Sequence, residues 1–365
     1  MLKISDITDY LEQHAPPALQ EDYDNAGLLT GNRSAEVKGI LICLDSTEKV
    51  IDEAMQLNCN LIIAHHPVIF KGLKKITGAN YVERAVIKAI KNDIAIYAIH
   101  TNLDNVINGV NKKIAEKLEI TDTKILKPRK SGQSKLISFI PKENVLEVLD
   151  AVHEAGAGII GDYDHCSFRT SGTGRYKPNE KANPHIGQKN IMEEVEEVRI
   201  EVIFPNHKSE DIISALKKSH PYEEVAYYIQ RTENVDEEVG SGIIGNLKKE
   251  LSIKEFLTCL KQKLRLAHYR YTPVNLKKIK KVAVCGGSGS FLISTALKMG
   301  ADAFISADIK YHEYFDGEGK MLIADIGHYE SEVYTKELIF ELLNKKFSNI
   351  ALQLSEVNTN PIRYI

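Results

Sequence analysis

Short apolar runs alternate with amphipathic stretches along the N-terminal third of the chain. The runs V-K-G-I-L-I-C-L-D at residues 37–45, L-I-I-A at 61–64 and I-A-I-Y-A-I at 94–99 are typical of buried strands. Apolar residues at helical spacing occupy the intervals 50–57 and 82–91. This alternation predicts an α/β sheet that is covered by helices.

A similar pattern returns near the C-terminus. The runs K-K-V-A-V-C at 280–285, A-D-A-F-I-S at 301–306 and M-L-I-A-D-I at 321–326 predict strands, and helices are predicted at 292–299 and 331–344. Because the two ends of the chain share this pattern, we expect them to form halves of one catalytic region.

The middle of the chain has a different organisation. It is flanked by two segments with the composition of linkers, K-P-R-K-S-G-Q at 127–133 and E-N-V-D-E-E-V-G-S-G at 233–242. Between them, K-L-I-S-F-I-P and V-R-I-E-V-I-F-P are each followed by a helical pattern, which predicts a ferredoxin-like α+β module. We therefore expect residues 134–232 to be an inserted domain between the parts 1–127 and 243–365.

Composition and charge narrow the classes of function. The chain has 365 residues, which favours more than one domain, and its formal charge of -3 gives no indication of a nucleic-acid partner. No apolar run approaches the roughly 20 residues of a membrane helix, and the first residues lack the apolar stretch of a signal peptide. A cytoplasmic protein is therefore expected.

Histidines and carboxylates follow three of the predicted strands. In open α/β sheets, ligands gather beyond the carboxyl ends of strands, so these side chains are expected to meet. Imidazole and carboxylate groups together suit divalent zinc, manganese or iron. The predicted site for divalent ions contains His65, His66, His100, Asp104, His328 and Glu332.

Local spacing refines this site. Pro67 is expected to end the first strand at Ala64, which would place both following histidines on a strand-end loop. His328 and Glu332 are four residues apart and would share one helical face.

Structural roles compete with metal binding at each position. A single strand-end histidine is more often a hydrogen-bonded structural residue than a ligand. Asp104 could cap the helix that begins near residue 110, and His100 could orient a ligand or carry a proton.

Two further polar segments are candidates for substrate contacts. The segment C-G-G-S-G-S at 285–290 follows a strand and precedes a helix, so its N–H groups could hold a phosphate, although such turns also occur for packing alone. The segment A-D-I-K-Y-H-E at 307–313 offers Asp308 and His312, for which capping or surface roles are equally compatible. The glycine-rich candidates are Gly286, Gly287, Ser288 and Gly289.

Several motifs together resemble one known family. These are D-N-A-G-L at 24–28, L-I-I-A-H-H-P at 61–67, H-T-N-L-D at 100–104, S-A-D-I-K-Y-H-E at 306–313 and D-I-G-H-Y-E-S-E at 325–332. The chain resembles the GTP cyclohydrolase 1 type 2 homologues, also called NGG-interacting-factor-three-like proteins. The middle part is similar to that of the longer bacterial members, through G-T-G-R-Y-K-P at 172–178 and H-P-Y-E-E-V-A-Y at 220–227.

This resemblance implies an assembly and a cofactor. It implies a core of two similar α/β lobes, an insert that is similar to the P-II and CutA proteins, and a ring-shaped homohexamer. It also implies two divalent ions per chain, with zinc favoured over iron or manganese. The ligands that the resemblance implies are His65, His66, Asp104, His328 and Glu332.

Two classes of function remain open at this point. The first is a metal-dependent hydrolase, for which the family name suggests GTP opening to formate and a pterin precursor, or else another nucleotide or phosphoester. In that case His100 would shuttle protons, and Arg270 or the glycine-rich turn would hold phosphate. The second is a non-enzymatic regulator or scaffold that binds metal and whose insert binds an effector or partner.

Overall fold

The computed structural model describes residues 1–130 and 132–364. The chain divides into two compact units: Met1–Pro128 with Glu237–Ile365, here called the core unit, and Arg129–Asp236, here called the insert unit. Ser131 in the predicted linker 127–133, and the last residue of the predicted part 243–365, lie outside the described residues.

The strands and helices are numbered in chain order. The strands are β1 (Gly27–Thr30), β2 (Ile40–Asp45), β3 (Leu61–His66), β4 (Ala95–Ala98), β5 (Ile120–Lys130), β6 (Gln133–Pro141), β7 (Phe168–Tyr176), β8 (Glu193–Pro205), β9 (Tyr227–Arg231), β10 (Val235–Ser252), β11 (Arg270–Tyr271), β12 (Lys278–Ser288), β13 (Ala303–Ala307), β14 (Leu322–Asp325) and β15 (Leu352–Leu354). The helices are α1 (Ile4–His14), α2 (Glu48–Gln56), α3 (Tyr81–Lys91), α4 (Thr101–Asp104), α5 (Val110–Lys117), α6 (Val145–Glu154), α7 (Ser209–Ser219), α8 (Ile253–Lys263), α9 (Ile293–Lys298), α10 (His328–Glu332) and α11 (Thr335–Lys346).

The first sheet of the core unit has the strand order β1-β4-β3-β2-β15. Strands β15, β2, β3 and β4 run parallel, and β1 pairs antiparallel with β4. Residues of β2, β3 and β4 are buried on both faces, which explains why they read as continuous apolar runs. Helices α2 and α3 cover one of these faces.

The expected end of β3 at Ala64 was wrong. The strand continues through both histidines, because His66 still pairs with Asp45 in the parallel register. The strand ends at His66, because the ring of the following Pro67 carries no N–H for the ladder.

The second sheet of the core unit has the order β11-β14-β13-β12-β10-β5. Strands β12, β13 and β14 run parallel, whereas β11 and β10 pair antiparallel with β14 and β12. One apolar cluster contains Ile42 and Ile63 of the first sheet together with Val284 and Ile305 of the second. The two sheets therefore share a core, and the predicted mixed α/β class is confirmed.

The helix predicted at 331–344 is two helices. Helix α10 begins at His328, directly after Gly327 with φ of 90°, and ends at Glu332; α11 then begins at Thr335. The periodicity of the sequence did not reveal this interruption, because Val333 and Tyr334 between the two helices also pack against the apolar core.

The insert unit contains the element order β6-α6-β7-β8-α7-β9, and its sheet has the order β7-β8-β6-β9 with antiparallel pairs. This is the order of a ferredoxin-like module. Ile200, Val202 and Phe204 of β8 pack with α6 and α7 on one face of the sheet. Alternate residues of β8 consequently lie on the opposite face.

No helix within the described ranges 1–130 and 132–364 is long and apolar enough to cross a membrane.

Candidate metal centre

The last two residues of β3 direct one ring nitrogen each towards a shared site. His65 is fully buried and its Nδ1 lies 2.9 Å from the carbonyl oxygen of Ile99, so this nitrogen is assigned as the donor. His66 Nδ1 lies 2.7 Å from Asp45 Oδ1 and is assigned in the same way. Nε2 is thereby the nitrogen of each ring that is directed towards the site and could bind a metal ion.

Helix α10 supplies a third imidazole and a carboxylate. His328 Nε2 lies 3.0 Å from Glu332 Oε2 and 3.4 Å from His66 Nε2, and Glu332 Oε2 lies 2.8 Å from His66 Nε2. The predicted common helical face of His328 and Glu332 is therefore present. Asp308 Oδ2 accepts a hydrogen bond from His328 Nδ1 at 2.6 Å and orients this ring.

The end of β4 and helix α4 bring Asp104 and His100 to the same place. Asp104 Oδ1 lies 3.6 Å from His65 Nε2, and Glu332 Oε1 lies 3.9 Å from that nitrogen. His100 Nδ1 lies 2.7 Å from Asp24 Oδ1, so Nε2 of His100 is left free.

The donor set fits divalent metal ions. Three overlapping groups have ligand atoms within 4.8 Å of one another. His65 Nε2 and Asp104 Oδ1 are buried and have no hydrogen-bond partner among the residues that the structure describes, which is unusual for buried polar atoms in folded proteins. An ion between them would satisfy both. The groups are His65, His66 and His100; His66, His328 and Glu332; and His65, Asp104 and Glu332.

Burial and the neighbouring charges move the pKa values of the two carboxyls in opposite directions. Burial, followed by the negative charge of Glu332, raises the pKa of Asp104 well above its ordinary value. Burial also opposes the charge of Glu332, but the hydrogen bonds from His328 and His66 outweigh it and hold the pKa of Glu332 well below its ordinary value. Negative charge is therefore concentrated on Glu332, the carboxylate that belongs to two of the three groups.

The pKa values of three imidazoles in the site are also shifted in different directions. Burial lowers the pKa of His65 to about 4, so this ring is neutral at pH 7 and able to bind an ion. For His66, burial is outweighed by the hydrogen bonds with Asp45 and Glu332, and its pKa rises to about 10. For His328, burial is outweighed first by Glu332, and its pKa rises to about 9. Ligation of a metal through these two rings therefore requires the loss of protons.

The glycine-rich turn packs against the carboxylate of the site. Gly286 N–H donates to Asn111 Oδ1 at 2.8 Å, and Gly287 N–H donates to Ser331 Oγ at 2.9 Å. Gly287 has φ of 60°, and a Cβ there would lie 2.3 Å from Glu332 Oε1. This glycine gives Glu332 its position, and neither of the two N–H groups is free for a phosphate.

The other two residues of the turn lie in β12 and directly after it. Ser288 pairs with Ala307 across the sheet. A Cβ at Gly289 would lie 2.4 Å from Ser306 Oγ, so a larger side chain does not fit at this position.

The remaining predicted contact residues lie in three different environments. Asp308 touches the site through His328. The Arg270 guanidinium forms an ion pair with the buried Asp325 carboxylate. His312 is exposed, with its ring 5.2 Å from the ring of Tyr311. Of these three, only Asp308 contacts a residue of the cluster among the described interactions.

Two supporting carboxylates were missed by sequence reasoning. Asp45 closes the apolar run 37–45, so the strand-end argument applied to the other ligands could have found it. Asp24 lies in the D-N-A-G-L motif at 24–28, but no local pattern connects it to His100.

The fold and the site define an α/β protein with a candidate centre for divalent metal ions. The chain belongs to the Duf34/NIF3 (NGG1p interacting factor 3) family, whose sequence model matches residues 2–361. The predicted family is thereby confirmed.

Two kinds of relatives support this membership. A Bacillus subtilis (strain 168) protein named GTP cyclohydrolase 1 type 2 homolog is 40% identical over 365 residues, covering 98% of each chain. The crystal structure of a Bacillus cereus protein related to NIF3 is 37% identical with a TM-score of 0.86, and the match covers 100% of this chain and 99% of that one. A Staphylococcus aureus protein of known structure is 31% identical with a TM-score of 0.78, at 100% and 99% coverage.

Proposed function

We propose that this protein is a metal-dependent hydrolase. One observation carries the proposal: His65 Nε2 and Asp104 Oδ1 face each other at 3.6 Å, both buried and both without a hydrogen-bond partner in the described part of the chain. Folding leaves such atoms unsatisfied at a free-energy penalty of about 1–3 kcal/mol each, which a bound ion would offset.

The proposed centre would hold two divalent ions. Oε2 of Glu332 lies close to His66 and His328, and its Oε1 lies towards His65, so Glu332 would be placed to contribute to the binding of both. The proposed ions are zinc, or else iron or manganese, because imidazole and carboxylate ligands suit these metals. The proposed ligands are His65, His66, Asp104, His328 and Glu332.

His100 is the proposed proton carrier. Divalent ions at this site would supply an activated water and polarise a carbon or phosphorus centre. The Asp24 carboxylate, whose pKa is lowered to about 2 against the effect of burial by the hydrogen bond with His100, holds the His100 Nδ1 proton. Nε2 of His100 can then accept a proton from the nucleophile and return it to the leaving group.

The proposed substrate is GTP or another nucleotide or phosphoester. The names of the relatives motivate GTP opening to formate and a pterin precursor as the first reaction to test. The proposed substrate contacts that remain are Arg270, Ser288, Gly289 and His312. Asp308 is proposed to act through His328, to which it is hydrogen-bonded.

Further proposals concern the organisation of the protein. We propose a ring-shaped homohexamer in the cytoplasm, and lobes 1–127 and 243–365 around an insert 134–232 that is similar to P-II and CutA proteins. The ferredoxin-like strand order of the insert unit supports this last point.

Replacement of His100 by asparagine tests the catalytic assignment. Metal-loaded protein is expected to turn over GTP or a member of a panel of nucleotides and phosphodiesters. His100→Asn should lower the turnover rate about 100-fold while the metal content stays unchanged, because general acid–base catalysis contributes a factor of this order. Formate release and metal analysis are the two readouts.

His14→Asn is the matched control, since His14 bonds only within α1, to the carbonyl oxygen of Tyr10. Its activity should equal that of the wild type. Full activity of His100→Asn with wild-type metal content would show that His100 carries no proton in the reaction.

A regulatory function is the second candidate, because the insert unit contains an open cavity of about 670 Å³. A metal-loaded protein that turns over none of these substrates, yet binds a small molecule in this cavity, would support the regulator in place of the enzyme.

A further inference from the structure

The cavity of the insert unit lies on the sheet face that points away from α6 and α7. Phe139 of β6 and Glu197 and Arg199 of β8 line it, and each alternates with residues of the apolar cluster on the helical face. The segments 172–178 and 222–226 complete the wall, so both motifs of the insert that sequence reasoning singled out border this cavity.

Aromatic side chains form much of the wall. Tyr176 and Tyr222 have ring centroids 6.0 Å apart, and Phe139 and Tyr228 have ring centroids 6.1 Å apart. An aromatic ring attracts a cation over its negatively polarised face, so a wall built of several rings can favour a cation.

A carboxylate lies at the base of the cavity. Glu197 is only 8% exposed, and a Cβ at Gly174 would lie 2.1 Å from its Oε2. The glycine thus leaves the space that the carboxylate occupies. Among the ion pairs of the described residues, none involves Glu197, whereas the lining residues Arg199 and Arg175 pair with Glu201 at 2.8 Å and Glu194 at 3.8 Å.

Two histidines lie near Tyr222: the exposed His185 lines the cavity, and the buried His220 is committed elsewhere. His220 Nε2 lies 3.0 Å from the carbonyl oxygen of Phe139, and its Nδ1 accepts the N–H of Tyr222 at 3.1 Å. Burial lowers the pKa of His220 further, so the ring is neutral. A buried carboxylate without a cation is strongly unfavourable, which points to a positively charged group from outside the chain.

Tyr222 supplies a second unsatisfied group. Its hydroxyl oxygen is buried and has no hydrogen-bond partner. Burial, and then the nearby Glu197 carboxylate, raise the pKa of Tyr222, so the hydroxyl keeps its proton and its oxygen can accept an N–H. The cationic lining residues Arg175, Lys177 and Arg199 are balanced by the anionic Glu197, Glu223 and Glu224, so the lining does not repel a cation overall.

We propose that this cavity binds a small organic amine in its ammonium form. The ammonium group pairs with the Glu197 carboxylate and donates to the Tyr222 hydroxyl oxygen, and the aromatic wall contacts the apolar part of the molecule. The site lies wholly within Arg129–Asp236 and shares no residue with the metal centre, so it is independent of the proposed hydrolase function.

Isothermal titration calorimetry of the full-length protein tests the charge preference. The probes are 2-phenylethylamine, its neutral analogue 2-phenylethanol and its acidic analogue 3-phenylpropionate, which share one apolar part. The affinity for the amine should be at least about 10-fold higher than for either analogue, because a buried charge-assisted hydrogen bond contributes binding free energy of this order. Equal affinities, or no heat from the amine up to about 10 mM, beyond the range of weak specific binding, would overturn the proposal.

Three variants locate the binding. Glu197→Gln should weaken amine binding about 10-fold or more, and Tyr222→Phe, which removes a hydroxyl without a hydrogen bond and should leave the fold intact, should weaken it about 3-fold or more. Glu196→Gln is the matched control, because Glu196 is the exposed neighbour on the opposite face of β8. Unchanged binding in folded Tyr222→Phe, or an equal loss in Glu196→Gln, would contradict the site.

Discussion

Asp45 shows how a residue outside the ligand set controls a ligand. Its Oδ1 accepts the Nδ1 proton of His66 at 2.7 Å, which leaves Nε2 as the nitrogen that faces Glu332. Burial opposes the charge of Asp45, but the hydrogen bond with His66 prevails and lowers its pKa. The carboxylate therefore persists at neutral pH and fixes both the tautomer and the orientation of the ring.

Substitution of Asp45 should weaken metal binding without removing a ligand. We expect Asp45→Asn to lower the affinity for zinc about 10–100-fold, the usual effect of losing such a supporting hydrogen bond. Competition with a chromophoric chelator measures this affinity.

The matched control is Asp52→Asn on α2, since Asp52 pairs only with Lys88 at the surface. Its zinc affinity should equal that of the wild type. An Asp45→Asn protein with wild-type affinity would mean that His66 is oriented by other contacts or is not a ligand.

Single residues of the site differ in how far the sequence predicts them. His65 and His66 stand out because polar residues directly follow an apolar run. Gly287 was singled out as a candidate phosphate contact, but its packing role was not predicted, because it depends on a close approach to Glu332 across the fold that no local pattern records. The sequence predicts that the N–H groups of this turn could hold a phosphate. In the structure, the N–H groups of Gly286 and Gly287 already donate to Asn111 and Ser331.

Helix α3 begins with a carboxylate that is held by several donors. Glu83 Oε2 accepts from the N–H of Thr77 at 2.8 Å and of Ala79 at 3.0 Å, while the Asn80 side chain caps the N–H of Glu83. The N–H of Thr77, followed by that of Ala79, lowers the pKa of Glu83 to about 2. This element organises the loop that follows β3.

The stabilising effect of Glu83 should depend on pH. A carboxylate whose pKa is lower in the folded state stabilises the fold above its unfolded pKa and loses this effect as pH falls towards the folded value. The difference in free energy of unfolding between wild type and Glu83→Gln should therefore be largest above pH 4.5 and shrink as pH falls towards about 2. Urea unfolding at several pH values measures it.

Glu116→Gln is the control for this series, because Glu116 is exposed on α5. Its difference from the wild type should stay small and independent of pH. A Glu83→Gln difference that grows on acidification would contradict the assignment of the hydrogen bonds.

The sequence predicted strands more accurately than helix boundaries, and the reason is physical. Buried parallel strands are apolar on both faces, so β2, β3 and β4 can be recognised from composition alone. Helix boundaries depend on single backbone angles, as at Gly327 before α10, and periodicity does not determine them.

In the core unit, the site depends on the packing of two sheets. β3 and β4 belong to one sheet and β14 to the other, and a shared apolar cluster joins them. The residues that follow the strands predicted that these ends meet, although the end of β3 was misplaced, but they did not show that two separate sheets bring the ends together, because that is decided by tertiary packing. The family resemblance supplied this information, whereas hydrophobic periodicity did not.

Metal content is the most direct test of the central claim that these strand ends form a dinuclear centre. After reconstitution with zinc, manganese or iron, elemental analysis of the wild type should give about two ions per chain. Glu332→Gln should lose at least one of them, because the carboxylate that is placed to contribute to the binding of both becomes an amide. Glu330→Gln should keep both, since Glu330 bonds to Asn360 outside the cluster. A folded wild-type protein without stoichiometric metal, or a Glu332→Gln protein with wild-type content, would contradict the account.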